Sequence, residues 1–217
     1  MASSSEKRPA TTLYKRAAAV ADPNERVVRT AYDLFSRQGV ASVGVDQIIA
    51  KAHVAKMTLY RRFRSKDELA LFILDRREER WTVGWLKTEV NRRSDSPEER
   101  LLAIFDVFGE WFGRPDYEGC LFINSLLEAH GTPSAIGAAS AEKLANAREI
   151  VRELAEEAGI RDPASFAVQW QILMCGAIVM AQQGGVDAAP RAREVASLFL
   201  ERELVDSHRP GHPGRPA

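Results

Sequence analysis

Cysteine is scarce: the 217 residues hold two, Cys120 and Cys175. Two thiols far apart in sequence make no disulfide framework, so stability has to come from an apolar core. A chain of this length can bury one. Net charge is lacking too, because 30 Lys and Arg are matched by 30 Asp and Glu. No apolar run approaches the roughly 18–20 residues of a membrane span, and no charged–apolar–small leader opens the sequence. The cytoplasm is therefore the expected compartment, with no membrane partner. Catalytic patterns are missing as well. There is no Ser/His/Asp or Cys/His constellation, no phosphate-binding loop and no defensible carboxylate pair, so the expectation is a non-enzyme. His208 and His212 sit four apart in a tail unsuited to a helix, and no metal or other cofactor is expected. Strand-like alternation and repeats of 20–50 residues are also absent.

What is present is helical periodicity and an uneven distribution of charge. Residues 1–93 carry 19 Lys and Arg against 11 Asp and Glu, whereas residues 94–217 carry 11 against 19. Charge asymmetry of this kind points the first half at a polyanion and leaves the second half another task. Helix starts recur as a cap residue beside proline: Asp22-Pro23, Ser96-Pro97, Thr132-Pro133 and Asp162-Pro163, with Asp187 and Pro190 a looser version. Asp22 with Glu25, and Ser65 with Glu68, have capping-box spacing. Apolar stripes follow at helical intervals, such as Val27, Val28, Ala31, Leu34 and Phe35, or Phe166, Trp170, Leu173, Ala177 and Ala181. The fold class expected is all-α, about nine helices.

Residues 44–69, GVDQIIAKAHVAKMTLYRRFRSKDEL, read as two short helices joined by a turn at His53-Val54, then a third helix start. The second short helix, about residues 55–63, presents Lys56, Thr58, Tyr60, Arg61 and Arg62 around a face pinned by Leu59 and Phe63. A short helix carrying cations, a hydroxyl and a phenol is what the DNA major groove admits. The third helix, opened by Ser65, is expected to run unbroken to about Val90 and to link the two halves.

The spacing of Ala52, Val54, Lys56, Thr58, Leu59, Tyr60, Phe63, Ser65, Lys66, Glu68 and Leu69 resembles the DNA-binding signature of the TetR family of transcriptional regulators. The resemblance implies an N-terminal three-helix helix-turn-helix domain and a C-terminal helical domain for ligand binding and dimerisation. Domain expectations are a disordered basic arm at residues 1–21 and a DNA-binding domain at residues 22–82, with reading helices about 45–64. A ligand-binding and dimerisation domain then covers residues 83–205, with a disordered tail at 206–217. By the same resemblance Tyr60 and Lys66 contact phosphates beside Thr58, Lys56, Met57 and Arg61 face base edges, and Ser42 partly replaces a hydroxyl missing at Gly44. Arg26 and Arg29 are further phosphate candidates. His53 stands where the family most often has glycine, a place histidine can fill because it tolerates positive φ better than most side chains.

The partners implied are a double-stranded palindromic DNA operator, a small-molecule effector and a second copy joined through the last two helices. Aromatic residues crowd the middle of the chain, and Trp81, Trp85, Phe108, Phe122 and Trp170 are the expected lining of a site for a lipophilic or aromatic effector. Residues 131–141 are expected to form a flexible junction. Two alternatives stand beside this reading: a redox-responsive regulator acting through Cys120, whose place near a helix start can lower a thiol pKa, and a DNA-binding protein with no small-molecule ligand. A buried structural Cys120 is the preferred reading of that thiol.

Overall fold

The computed structural model describes residues 22–129, 133–185 and 187–208. The basic arm with Lys7, Arg8, Lys15 and Arg16 lies outside them, as do His130, Gly131, Thr132 and His212. The described chain is helical throughout, without a strand. It divides into two compact units, one containing the residues up to Trp85 together with Cys120–Lys143, the other Leu86–Gly119 with the residues from Leu144 onward. The expected boundary after residue 82 falls three residues short of this division.

In the first unit, α1 (Pro23–Gln38) is followed by α2 (Val45–Ala52), α3 (Lys56–Tyr60) and α4 (Lys66–Arg77). The apolar stripe of α1 is buried as its spacing requires, with Val27, Val28 and Ala31 fully inaccessible beside Leu34 and Phe35. Ile48 of α2, Leu59 of α3, Phe63, and Leu69, Ile73 and Leu74 of α4 complete that core. Each such Leu, Ile or Phe side chain contributes about 1.5–3 kcal/mol when fully buried. Proline starts α1, but Asp22 makes no side-chain cap. Its expected box partner Glu25 instead forms a two-pronged pair with Arg76 of α4, at 2.7 and 2.8 Å. Gly39, at φ 83°, ends α1. Ser65 does cap α4, accepting from the Glu68 N–H at 3.1 Å, and Glu68 reaches back to the Arg64 N–H at 2.7 Å.

Beyond α4 the helix does not continue as α. Glu78–Lys87 is wound as a π-helix, with α5 (Thr88–Arg93) following it. The expected single helix therefore runs a little past Val90, with a wider middle. Gly84 shows why this stretch tolerates that winding: a Cβ there would lie 2.8 Å from the Glu79 carbonyl oxygen. The first unit is completed by α7 (Leu121–Glu128) and the opening turns of α8 (Ala135–Glu157). Helix α8 starts two residues past the expected Thr132-Pro133 signal, where Ser134 Oγ accepts from the Gly137 N–H at 3.3 Å. Residues from Ala135 on are thus helix rather than flexible junction.

The second unit contains α5, α6 (Pro97–Phe112), the rest of α8, α9 (Pro163–Gln182) and α10 (Ala188–His208). Ser96 and Asp162 cap as expected, accepting from Glu99 and Ser165 N–H groups at 3.3 and 3.0 Å. The core is aromatic. Trp170 stacks on Phe166 at 5.0 Å and meets Phe105 at 5.5 Å, while Phe166 lies parallel to Phe199 of α10 at 4.9 Å. Helix α10 runs on to His208, three residues into the expected tail, where Ser207 Oγ accepts from the Arg161 N–H at 2.9 Å.

Helix α9 has no charged residue after its cap, and by length and composition it could cross a membrane, with a mean hydropathy of 1.6. Gln169, Gln171 and Gly176 interrupt its apolar run. Only a third of that window is buried in one copy. Trp170, Met174, Ala177 and Ile178 point inward, while Val168, Ile172, Val179 and Met180 are exposed.

Candidate nucleic-acid interface

The two reading helices owe their placement to a turn that few residues can make. His53 closes α2 at φ 52°, ψ 53°, the sole left-handed non-glycine among the described residues. Arg26 of α1 holds that turn: its Nε donates to the Ala52 carbonyl at 3.2 Å and its Nη2 to the His53 carbonyl at 3.3 Å. These are carbonyls that a helix end leaves without partners. Sequence reading offered Arg26 to phosphates, whereas here it positions α2. Nothing in its local spacing signals that role, since its partners lie 26 and 27 residues away.

Helix α3 is a little shorter than expected, with Arg61 and Arg62 in the turn that ends it. Leu59 is fully buried and Phe63 nearly so, which fixes the opposite face in solvent. On that face Met57 is 67 % exposed and Tyr60 40 %. Lys56 and Arg61 are exposed beside them, and Thr58 is half-buried with its N–H bonded to the Ala55 carbonyl at 2.8 Å. Lys56 Nζ reaches Asp46 of α2 at 3.2 Å, a solvent-exposed pair worth about 0–1 kcal/mol that an incoming polyanion can displace. Arg62 lies over the Phe63 and Phe72 rings at 5.2 and 4.7 Å.

Between α1 and α2 the chain turns through residues 39–44. Val40 and Val43 are buried, while Ala41 and Ser42 face out. Lys66, at the start of α4, binds the inner side of this turn, donating to the Val40 and Val43 carbonyls at 2.8 and 3.0 Å, with Ala41 more distant at 3.4 Å. On the other side, the Ala41 N–H donates to Glu128 of α7 at 3.1 Å. Gly44 leads into α2 with an extended backbone and no side-chain cap.

The aromatic residues expected to contact an effector fall in both units. In the first, Trp81 and Trp85 of the π-helical stretch sit 5.6 Å apart, Arg77 lies over Trp81 at 5.2 Å, and Phe122 of α7 is buried. In the second, Phe108 and Trp170 are both buried, Phe108 between Phe105, Trp111 and Phe112. Among the described residues, the buried Thr82, Ser125 and Ser140 hydroxyls, which sequence reading missed, and the indole N–H of Trp170, which it named, have no hydrogen-bond partner. A groove of about 590 Å³ opens between α6 and α10, with Phe105, Gly109, Ala189 and Leu198 among its lining residues and none of the five expected ones. Cys120 precedes α7, and burial pushes its thiol up from the ordinary value despite hydrogen bonds from the Ile123 and Phe122 N–H groups and the nearby Arg77 charge.

Residues 27–72 match the family model for bacterial regulatory proteins of the tetR family. A curated relative, the HTH-type transcriptional regulator YjdC of Escherichia coli, is 25 % identical over 174 residues, spanning 78 % of this chain and 91 % of its own. Among solved structures, a TetR-type regulator from Streptomyces avermitilis is 26 % identical with a TM-score of 0.74, covering 84 % of this chain and 98 % of its own. A TetR transcriptional regulator from Chloroflexus aurantiacus is 25 % identical with a TM-score of 0.73, covering 83 % and 95 %. A reading pair with this geometry, an all-helical body and these matches together support a TetR-family transcriptional regulator with an N-terminal helix-turn-helix head.

Proposed function

We propose that the protein is a cytoplasmic homodimer that binds a palindromic operator with one α3 per half-site and releases it when a small lipophilic or aromatic molecule binds. The observation that carries the DNA reading is Met57 at 67 % exposure beside exposed Tyr60, on a helix whose other face is pinned by Leu59. A methionine and a phenol presented to solvent among Lys56 and Arg61 suit a groove better than water. Tyr60, Lys66, Thr58 and Ser42 are assigned to phosphates, and Lys56, Met57 and Arg61 to base edges. Lys66 Nζ donates to three carbonyls, and the longest of these bonds, to Ala41 at 3.4 Å, is the one a phosphate would displace.

The proposed partner for the uncovered apolar face of α9 is a second copy. Val168, Ile172, Val179 and Met180 are exposed there, Gly176 has open space where a side chain would stand, and α10 adds Val195, Leu198 and Val205. Phe199 of the same helix stacks on Phe166 within one copy. For the effector, the buried Trp170 indole N–H is an unmet donor, a costly arrangement that an acceptor on the effector would relieve. Redox sensing through Cys120 is disfavoured, because burial works against the thiolate.

The test is fluorescence anisotropy on DNA immediately upstream of the coding region, with random DNA and a salt titration alongside. Selective, salt-steep binding with two chains per site supports the proposal. A folded dimer that binds neither DNA refutes it.

A further inference from the structure

Glu128 stands in an unusual place for a carboxylate. It is the last residue of α7, where the negative end of the helix dipole disfavours it. Its hydrogen-bonding partner is far off in sequence: Oε2 accepts from the Ala41 N–H at 3.1 Å, 87 positions away. Gly39, two residues earlier, keeps that seat open. A Cβ on Gly39 would fall 1.7 Å from Glu128 Oε1, and its φ of 83° already favours glycine. The turn is therefore gripped twice. Lys66 takes the carbonyls of Val40 and Val43, and Glu128 takes the N–H of Ala41.

We infer that Glu128 is a positioning residue through which α7 sets the entry of the first reading helix. Ala41 is followed by Ser42, a proposed phosphate contact, and three residues on by Gly44 at the start of α2. Helix α7 is eight residues long and anchored by buried Leu121, Phe122 and Ile123. About 12 Å of helix at 1.5 Å per residue moves as one piece, so a shift at Phe122 is delivered at Glu128. This inference rests on the DNA-binding reading and names a route by which an effector against Phe122 would reach it.

The experiment uses the full-length chain, labelled with ¹⁵N, and duplexes the wild-type protein selects from a random pool. In the wild type the Ala41 amide proton resonance should move with the titration of a carboxylate, and in Glu128→Gln it should not. Glu128→Ala should weaken binding to the selected duplex about fivefold or more, with little change in the thermal midpoint. Glu128→Gln keeps an acceptor oxygen and should recover most of that affinity. A flat Ala41 resonance in the wild type overturns the clamp, and wild-type affinity in Glu128→Ala overturns its role in positioning. A wild type that enriches no sequence refutes the DNA reading and the positioning role with it, while the Ala41 resonance separately decides the clamp.

Discussion

The guanidinium of Arg26 bridges the Ala52 and His53 carbonyls, at 3.2 and 3.3 Å, and so ties α1 to the left-handed turn that joins the reading helices. Two charge-assisted bonds to otherwise unpartnered carbonyls are lost in Arg26→Ala. The expected cost is about 1–2 kcal/mol of stability, read from urea denaturation, with weaker DNA binding. Arg26→Lys should recover part of both. An unchanged denaturation midpoint in the alanine variant would remove this role from Arg26.

Lys66 carries two tasks that separate experimentally. Its bonds to the Val40 and Val43 carbonyls predict that Lys66→Ala loses about 1–3 kcal/mol of stability. Its proposed phosphate contact predicts a salt dependence of DNA binding shallower by about one unit of slope. A stability loss with an unchanged slope would leave Lys66 a structural clamp alone.

Lys143, on α8, is buried between Glu78 at 2.8 Å and Asp75 at 2.9 Å. Burial alone would lower its pKa, but hydrogen bonds and charge from Glu78 and Asp75 outweigh that and hold it above the ordinary lysine range. A raised folded-state pKa gives stability that is fully present below about pH 10.4, the unfolded value, and is lost as pH rises through the folded one. Stability of the wild type should therefore fall in that alkaline window more steeply than that of Lys143→Met. Near neutral pH the variant should be less stable, because buried Lys143 gives up its ion pairs with Glu78 and Asp75. Parallel alkaline profiles for the two proteins would exclude this linkage.

Gly84→Ala distinguishes π from α winding by the sign of its effect. In a regular α-helix the change gains about 1 kcal/mol. Here the added Cβ meets the Glu79 carbonyl oxygen at 2.8 Å, so the backbone must shift and a loss of about 1–3 kcal/mol is expected. A rise in the thermal midpoint would contradict the π geometry.

The features legible in the sequence are those set within one helical turn. The caps at Ser65, Ser96 and Asp162 need only a neighbour three residues on, and the buried stripe of α1 needs only helical periodicity. His53 in the left-handed turn follows from its place between two short helices. The reading helices, with Leu59 and Phe63 inward, follow from the same local pattern, and with them the family.

Tertiary structure decided what distant residues do to one another. Asp22 and Glu25 have the spacing of a capping box, yet Glu25 pairs with Arg76, because an arginine 51 residues on offers two charged donors. Arg26 and Lys66 look like free cations in sequence, but their geometry brings them to backbone carbonyls that need partners. Phe199 could face out like Val195 and Leu198, and stacking on Phe166 turns it in. Glu128 has no local signal at all. Its role exists because folding sets α7 against a turn 87 residues earlier, where an N–H stands ready to donate.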